Sequence, residues 1–235
     1  MNEHFRFAVL SGNQLKLIAL ISMTVDHIGV MLFPDLYVLR IIGRIAYPIF
    51  AFMIAEGCFY TKHKTRYFFE VLGIGVLCQV AYFILYGSLE LNIMLGFSFS
   101  ILIIFAIQKA KETRGTWQTI LAITLIGAAW VSSALLPEYI KGFRFDYGFV
   151  GIVLPVIVYI IPYFRLKIVA FAITLFVLAT TLYFPLQIWG LMAVPLMMLY
   201  TGKRGKIKMG QFFYIYYPAH MVAIWAIGEM AGAFT

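Results

Sequence analysis

Nine apolar stretches follow one another along the 235 residues, each near the length that crosses about 30 Å of hydrocarbon. They cover roughly residues 15–33, 37–60, 67–87, 89–108, 117–136, 146–162, 167–184, 186–201 and 211–232. In lipid a backbone N–H or C=O has no water to bond, so lone spans of this kind must be helices. The sequence therefore predicts an all-α fold: a polytopic membrane bundle of about nine transmembrane helices, one domain over residues 1–235, with short loops. Charged residues make up 12% of the chain, about half their share in a soluble domain. Segments 146–162 and 186–201 are the shortest, and Pro185 marks either a turn or a kink.

Loop charge sets a direction. Of the 18 Lys and Arg residues, 14 fall in clusters on one side of a nine-span arrangement: Arg6 and Lys16, then 62–66, 109–114, 165–167 and 203–208. The opposite loops hold only Lys141 and Arg144, beside Asp35, Glu90, Glu138 and Asp146. The positive-inside rule then predicts a cytoplasmic N-terminus and an extracytoplasmic C-terminus. A net charge of +8 spread over short loops fits an anionic lipid surface, not a nucleic-acid footprint. Tyr60, Tyr67, Tyr86, Trp117, Tyr139 and Tyr163 sit near the proposed span ends, where such rings favour the headgroup layer. Residues 4–10 are expected along the interface, and the N-terminus does not read as a cleaved signal peptide. Cys58 and Cys78 read as packing thiols, and no Cys-His spacing suggests a metal. No internal repeat is visible, which weakens a transporter built from inverted repeats.

The first two spans carry five ionisable residues: Asp26, His27, Arg40, Arg44 and Glu56. Each costs about 2.5–3.5 kcal/mol at a bilayer centre on insertion scales, so they are expected to face a bundle interior or a watery cavity. His27 is a candidate base, with Asp26 able to orient or charge the ring; the plain alternative pairs Asp26 with an arginine. Arg40 and Arg44 share one helix face, and a guanidinium suits phosphate, carboxylate or a developing oxyanion. Arg40 has the further option of snorkelling outward. Pro48 is expected to bend the second span. Glu56 lies deeper, where a structural ion pair explains it as well as a functional role does.

The last span contains FFYIYYPAHM, in which Pro218 suggests a broken helix lining a cavity. His220 and Tyr217 are its candidate functional residues. Asn92, and the cluster Arg144, Asp146, Tyr147 and Gly148, open spans on the outer side, where caps and loop ion pairs are the simpler explanation. Read by depth, Asp26, His27 and Arg44 form an outer-half group that His220 is positioned to close.

The ordered set LKLIALISMTVDHIGV, LRIIGRIAYPIFAFMIAEG, Tyr60-Thr61, Leu91-Asn92 and FFYIYYPAHM resembles the TraX family from residue 15 to about 222. These are integral-membrane proteins named for a pilin N-acetylase and similar to wider membrane acyltransferases. The resemblance implies a multi-pass protein of the bacterial inner membrane. It implies acetyl-CoA as donor and an extracytoplasmic amine or hydroxyl as acceptor, on a peptide N-terminus, a glycan or a small molecule. By motif, Asp26-His27, Arg44, Glu56 and His220 are the positions carried over.

The resulting expectation is an acyl-CoA-dependent O- or N-acetyltransferase with Asp26, His27, Arg44 and His220 as catalytic candidates. Arg40, Glu56, Asn92 and Tyr217 are the substrate-binding candidates, and no metal is expected. Either His27 or His220 serves as base. Membrane lipids and acyl-CoA are the expected partners, and a channel past Glu56 is expected to admit the donor. The rival expectations are a proton-coupled transporter, relaying protons through Asp26, Glu56 and His220, and a non-catalytic assembly factor.

Overall fold

Several helix boundaries follow directly from local side-chain chemistry. Ser11 and Gln14 form a capping box at the head of α1 (Gly12–Met31): the Gln14 N–H donates to Ser11 Oγ and the Ser11 N–H to Gln14 Oε1. The computed structural model describes residues 4–182, 185–206 and 210–232. After α1 come α2 (Tyr37–Gly43), α3 (Ala46–Tyr60), α4 (Lys64–Tyr86), the short strand β1 (Glu90–Leu91), α5 (Ile93–Thr113) and α6 (Thr116–Ala134). Then follow α7 (Leu136–Tyr139), β2 (Arg144–Phe145), α8 (Gly148–Ile160) and α9 (Phe164–Thr181). A 3-10 helix over Pro185–Met192, α10 (Ala193–Met198) and α11 (Gly210–Met230) complete the chain. Lys208 of the last basic cluster, and the side chains of Tyr86 and Tyr214, lie outside the described residues.

Among the described residues, six helices are long and apolar enough to cross a membrane, fewer than the nine spans expected. They are Gly12–Met31, Tyr37–Tyr60, Lys64–Ile84, Ile93–Thr113, Thr116–Tyr139 and Phe164–Thr181. The 13 residues of α8 rise only about 20 Å, and the segment expected over 186–201 divides into the 3-10 helix and α10. The second expected span is interrupted at Arg44–Ile45, so that Pro48 stands in the first turn of α3, where its missing N–H costs nothing. The expected break at Pro218 is absent: α11 runs continuously through it.

Packing divides the chain into two compact units, Met1–Met53 with Pro162–Thr235, and Ile54–Ile161, with the boundary inside α3. In the first unit Phe52 stands edge-on to Phe171 and Tyr200. Residues 4–10, expected along the interface, dock here: His4 Nδ1–H donates to the Tyr200 carbonyl, and the Val9 and Leu10 N–H groups donate to the Leu199 carbonyl. The hairpin of α1 and α2 closes tightly because Gly29 and Gly43 carry no side chain; a Cβ on Gly29 would lie 2.8 Å from Leu39 Cβ.

In the second unit α4 and α6 leave most of their apolar side chains uncovered, as lipid-facing helices do. β1 and β2 pair in parallel, Glu90 with Arg144 and Leu91 with Phe145, and Arg144 Nη2 bonds Glu90 Oε2 at 2.8 Å. Asn92 caps α5 by accepting from the Met94 and Leu95 N–H groups, while its amide donates to Gly75 O (2.8 Å) and Gln79 Oε1 (3.2 Å). Its side chain is thus engaged in joining α4 to α5. Cys58 is buried and Cys78 half-buried, both as free thiols. Asn92→Ala is expected to cost about 1–2 kcal/mol through the lost cap alone, measured as a lower unfolding midpoint in detergent.

Candidate functional site

The ionisable residues of the first two spans meet at one carboxylate. Asp26 Oδ2 accepts from Arg40 Nη1 at 2.7 Å, and Asp26 Oδ1 accepts from Arg44 Nη2 at 2.6 Å. Arg40 therefore does not snorkel outward; the anion draws it in. With one guanidinium on each oxygen, Asp26 makes the arginine pairing that was the plain alternative to orienting His27. The side chains of Asp26 and Arg44 are 14% and 8% exposed, so this is a buried, charge-assisted cluster whose members cannot be removed singly at low cost. Gly43 makes room for it: a Cβ there would overlap the Asp26 side chain.

The cluster also satisfies the broken end of α2. Arg44 Nε donates to Arg40 O, the Arg44 N–H to Ile41 O, and Ser22 Oγ to Ile42 O at 2.6 Å. Three carbonyls that a membrane helix cannot leave unmet are thereby bonded. Pro48 explains the place of the interruption, because a proline ring crowds the carbonyl four residues earlier, here that of Arg44. Gly190 of the 3-10 helix fits against this point; a Cβ on it would sit 3.5 Å from both Arg44 O and Pro48 Cγ.

That 3-10 helix brings in Gln187, a residue the sequence reading missed. It is 2% exposed and takes a hydrogen bond from Arg44 Nη1 at 3.4 Å through Oε1. Its Nε2 is buried without a partner among the described residues. Flipping the amide would set two donors against each other, so Oε1 towards Arg44 and NH2 away from it is the consistent assignment. The available signal was a lone amide in an apolar segment; its meeting with Arg44, 143 positions away in sequence, was not visible.

Beside the arginine cluster stands an imidazole pair. His220 Nε2 and His27 Nδ1 are 2.9 Å apart, and His220 Nδ1 lies 2.9 Å from the Tyr216 carbonyl. A carbonyl only accepts, so His220 Nδ1 carries hydrogen. In neutral His220, Nε2 is then the acceptor and His27 Nδ1–H the donor, which leaves the lone pair of His27 on Nε2. The Met23 carbonyl also faces the His27 ring from one turn back. Tyr216 stacks on His220 at 5.4 Å and 5°. Thr24 Oγ1 donates to Leu20 O, so its contact with the Tyr216 hydroxyl at 2.7 Å has tyrosine as donor. These pairings set α1 and α11 side by side in the same direction.

Tyr217 packs against the buried cluster of Leu20, Met23 and Ala46, with its ring centroid 6.0 Å from that of His220. Asp26, His27, Arg40, Arg44, Tyr217 and His220 are thus gathered in the first unit, whereas Glu56 and Asn92 belong to the second. Among the described residues no three His, Cys, Asp or Glu side chains are grouped to hold a metal ion. Asp26→Asn is expected to cost about 3–5 kcal/mol, because two buried guanidiniums lose their counter-charge. Gly43→Ala, by displacing the same carboxylate, is expected to add less in that background than in the wild type, as measured by a double-mutant cycle of unfolding midpoints.

The family model for the TraX protein matches residues 11–228. An uncharacterized protein of Rickettsia prowazekii (strain Madrid E), RP591, is 45% identical over 83 residues, covering 35% of this chain and 32% of that one. The chain thus spans about a third of the length of that relative. The probable fimbrial assembly protein FimC, serogroup H1, of Dichelobacter nodosus is 26% identical over 238 residues, covering 91% of this chain and 94% of that protein. No solved structure matches. A family match over nearly the whole length, on a chain rich in membrane-length apolar helices, makes this a membrane protein of the TraX family.

Proposed function

We propose that this protein is a membrane acyltransferase that moves an acetyl group from acetyl-CoA to an amine or hydroxyl at the extracytoplasmic face. The observation that carries the reading is the directed chain Tyr216 C=O, His220, His27, which with His220 neutral puts the His27 lone pair on Nε2. His220 holds the tautomer of its neighbour, much as a carboxylate does in a hydrolase triad. His27 Nε2 takes the proton from the acceptor nitrogen or oxygen as that atom bonds the thioester carbonyl carbon. His27 then returns the proton to the departing thiolate sulfur as the carbon–sulfur bond breaks.

Negative charge that develops on the carbonyl oxygen needs preorganised donors. Gln187 Nε2 is a buried donor without an acceptor among the described residues, and Arg44 is held beside it. Because Asp26 is shared between two guanidiniums, the Asp26–Arg40–Arg44 cluster keeps one net positive charge. That suits a single oxyanion better than a group of donor phosphates. With acetyl-CoA as substrate, His27→Ala is expected to lower kcat by about 100- to 10,000-fold, and His220→Ala by less. Labelled acetyl-CoA and purified protein measure both; unchanged thioester turnover in His27→Ala overturns the assignment.

A second reading, a non-catalytic part in fimbrial assembly, draws on the description of the Dichelobacter relative. It requires that alanine at Asp26, His27 and Arg44 leave assembly intact in cells. A proton relay through Asp26 fits less well, since both its oxygens are held by arginines. We place the protein in the bacterial inner membrane with its N-terminus cytoplasmic, on the basis of loop charge. The parallel course of α1 and α11 suits the odd number of crossings this requires. Reporter fusions at Gly87 and Gly202 are expected on opposite sides, the first extracytoplasmic.

A further inference from the structure

We propose that Lys16 and Arg204 form the phosphate-binding end of the donor site, joined to the His27–His220 pair by the seam between α1 and α11. The inference rests on the acyl-CoA reading above and assigns the part of that ligand which the arginine cluster does not suit.

Lys16, Leu20, Met23 and His27 follow one another at helical spacing along a single face of α1. The facing residues of α11 run in the same order: Phe213 lies under Lys16 Nζ at 5.4 Å, Tyr216 and Tyr217 pack against the cluster that holds Leu20 and Met23, and His220 bonds His27. Three helical turns, about 16 Å of rise, separate Lys16 from His27. That suits an extended phosphopantetheine arm, whose thioester would lie at the imidazoles while its phosphates lie at the lysine.

The second cation is fixed by backbone contacts. The Gly12 N–H donates to Lys203 O at 2.8 Å and the Asn13 N–H to Arg204 O at 3.0 Å, clamping the loop onto the start of α1. Gly205 permits the clamp with a φ of 96°, and a Cβ there would press on Ser11 Oγ at 2.8 Å. Asn13 stands about one helical turn before Lys16, so its bond to Arg204 O holds that residue at the Lys16 end of α1. Among the described residues neither cation has a carboxylate partner, and the described acids of this unit lie elsewhere: Asp26 in the arginine cluster, Asp35 in the α1–α2 turn and Glu229 at the far end of α11. Two cations at one end of the seam, without a counter-ion among the described residues, suit a phosphate ligand. The first N–H groups of α1 are already bonded, so the side chains alone supply that charge.

A phosphate at this position has two sources, the donor nucleotide or an anionic lipid, and the proposal commits to the donor. Binding of CoA to the purified full-length protein in detergent is expected to weaken tenfold or more in Lys16→Met and in Arg204→Gln. Adenosine 3′,5′-bisphosphate is expected to displace CoA from the wild type, and Lys16→Arg to restore affinity. Arg204 is exposed, so its substitution carries the test even where Lys16→Met impairs folding. Unchanged CoA affinity in Arg204→Gln overturns the site. So does loss of phosphatidylglycerol from nanodiscs with CoA affinity intact, which would mark a lipid site. Failure of the wild type to bind CoA overturns the acyl-CoA reading itself.

Discussion

Everything in the first unit's polar interior depends on one carboxylate shared between two guanidiniums. Asp26 alone in hydrocarbon would be costly, and so would Arg40 or Arg44. Together they neutralise all but one charge and fill each other's hydrogen-bonding capacity through contacts of 2.6 and 2.7 Å. The cluster then determines backbone structure. Arg44 and Ser22 bond the carbonyls at the end of α2, so the helix can stop inside an apolar layer without stranding them. Gly43 and Gly29 allow α1 and α2 to approach closely enough for these bonds to form.

Holding the carboxylate in that cluster changes what the neighbouring histidine can be. If Asp26 faced His27, the ring would gain a partner that favours its charged form. Bonded to His220 instead, it has a neutral partner whose own tautomer is fixed by a backbone carbonyl. Two charged imidazoles cannot share this bond, because it needs one acceptor nitrogen. The arrangement therefore admits at most one charged imidazole, and in the uncharged pair it leaves one lone pair on His27 Nε2, the form a base requires. Adjacency in the sequence suggested an Asp–His couple; the helix turns successive side chains about 100° apart and sends them to different partners.

This divergence shows what the sequence made legible. Membrane-length helices, the gathering of Asp26, His27, Arg44 and His220 in one unit, and the pairing of an arginine with Asp26 were all readable from costly residue types in apolar segments. Helix breaks were less so. Pro48 and Pro218 have the same ring, yet Pro48 coincides with an interruption four residues earlier while α11 continues through Pro218. At Arg44 side chains and a close-packed glycine are present to receive the disturbed backbone, and that depends on tertiary contacts. Segment 186–201 departs from a regular helix for a related reason: its composition is apolar enough for a span, but it coils partly as a 3-10 helix against α9 and α2.

Gln187 lay beyond sequence reading because its meaning arises only from Arg44. A buried amide in an apolar core usually has both ends bonded. Here Oε1 is spoken for by a guanidinium, which fixes the amide's orientation and leaves Nε2 without an acceptor among the described residues. Burying such a donor costs free energy that an apolar side chain of similar size would avoid. The same unit arranges bonding partners for the broken end of α2, so the orphan stands out against a well-satisfied background. A donor kept at that cost beside a net-positive cluster is understandable as half of a hydrogen bond whose other half arrives with the substrate.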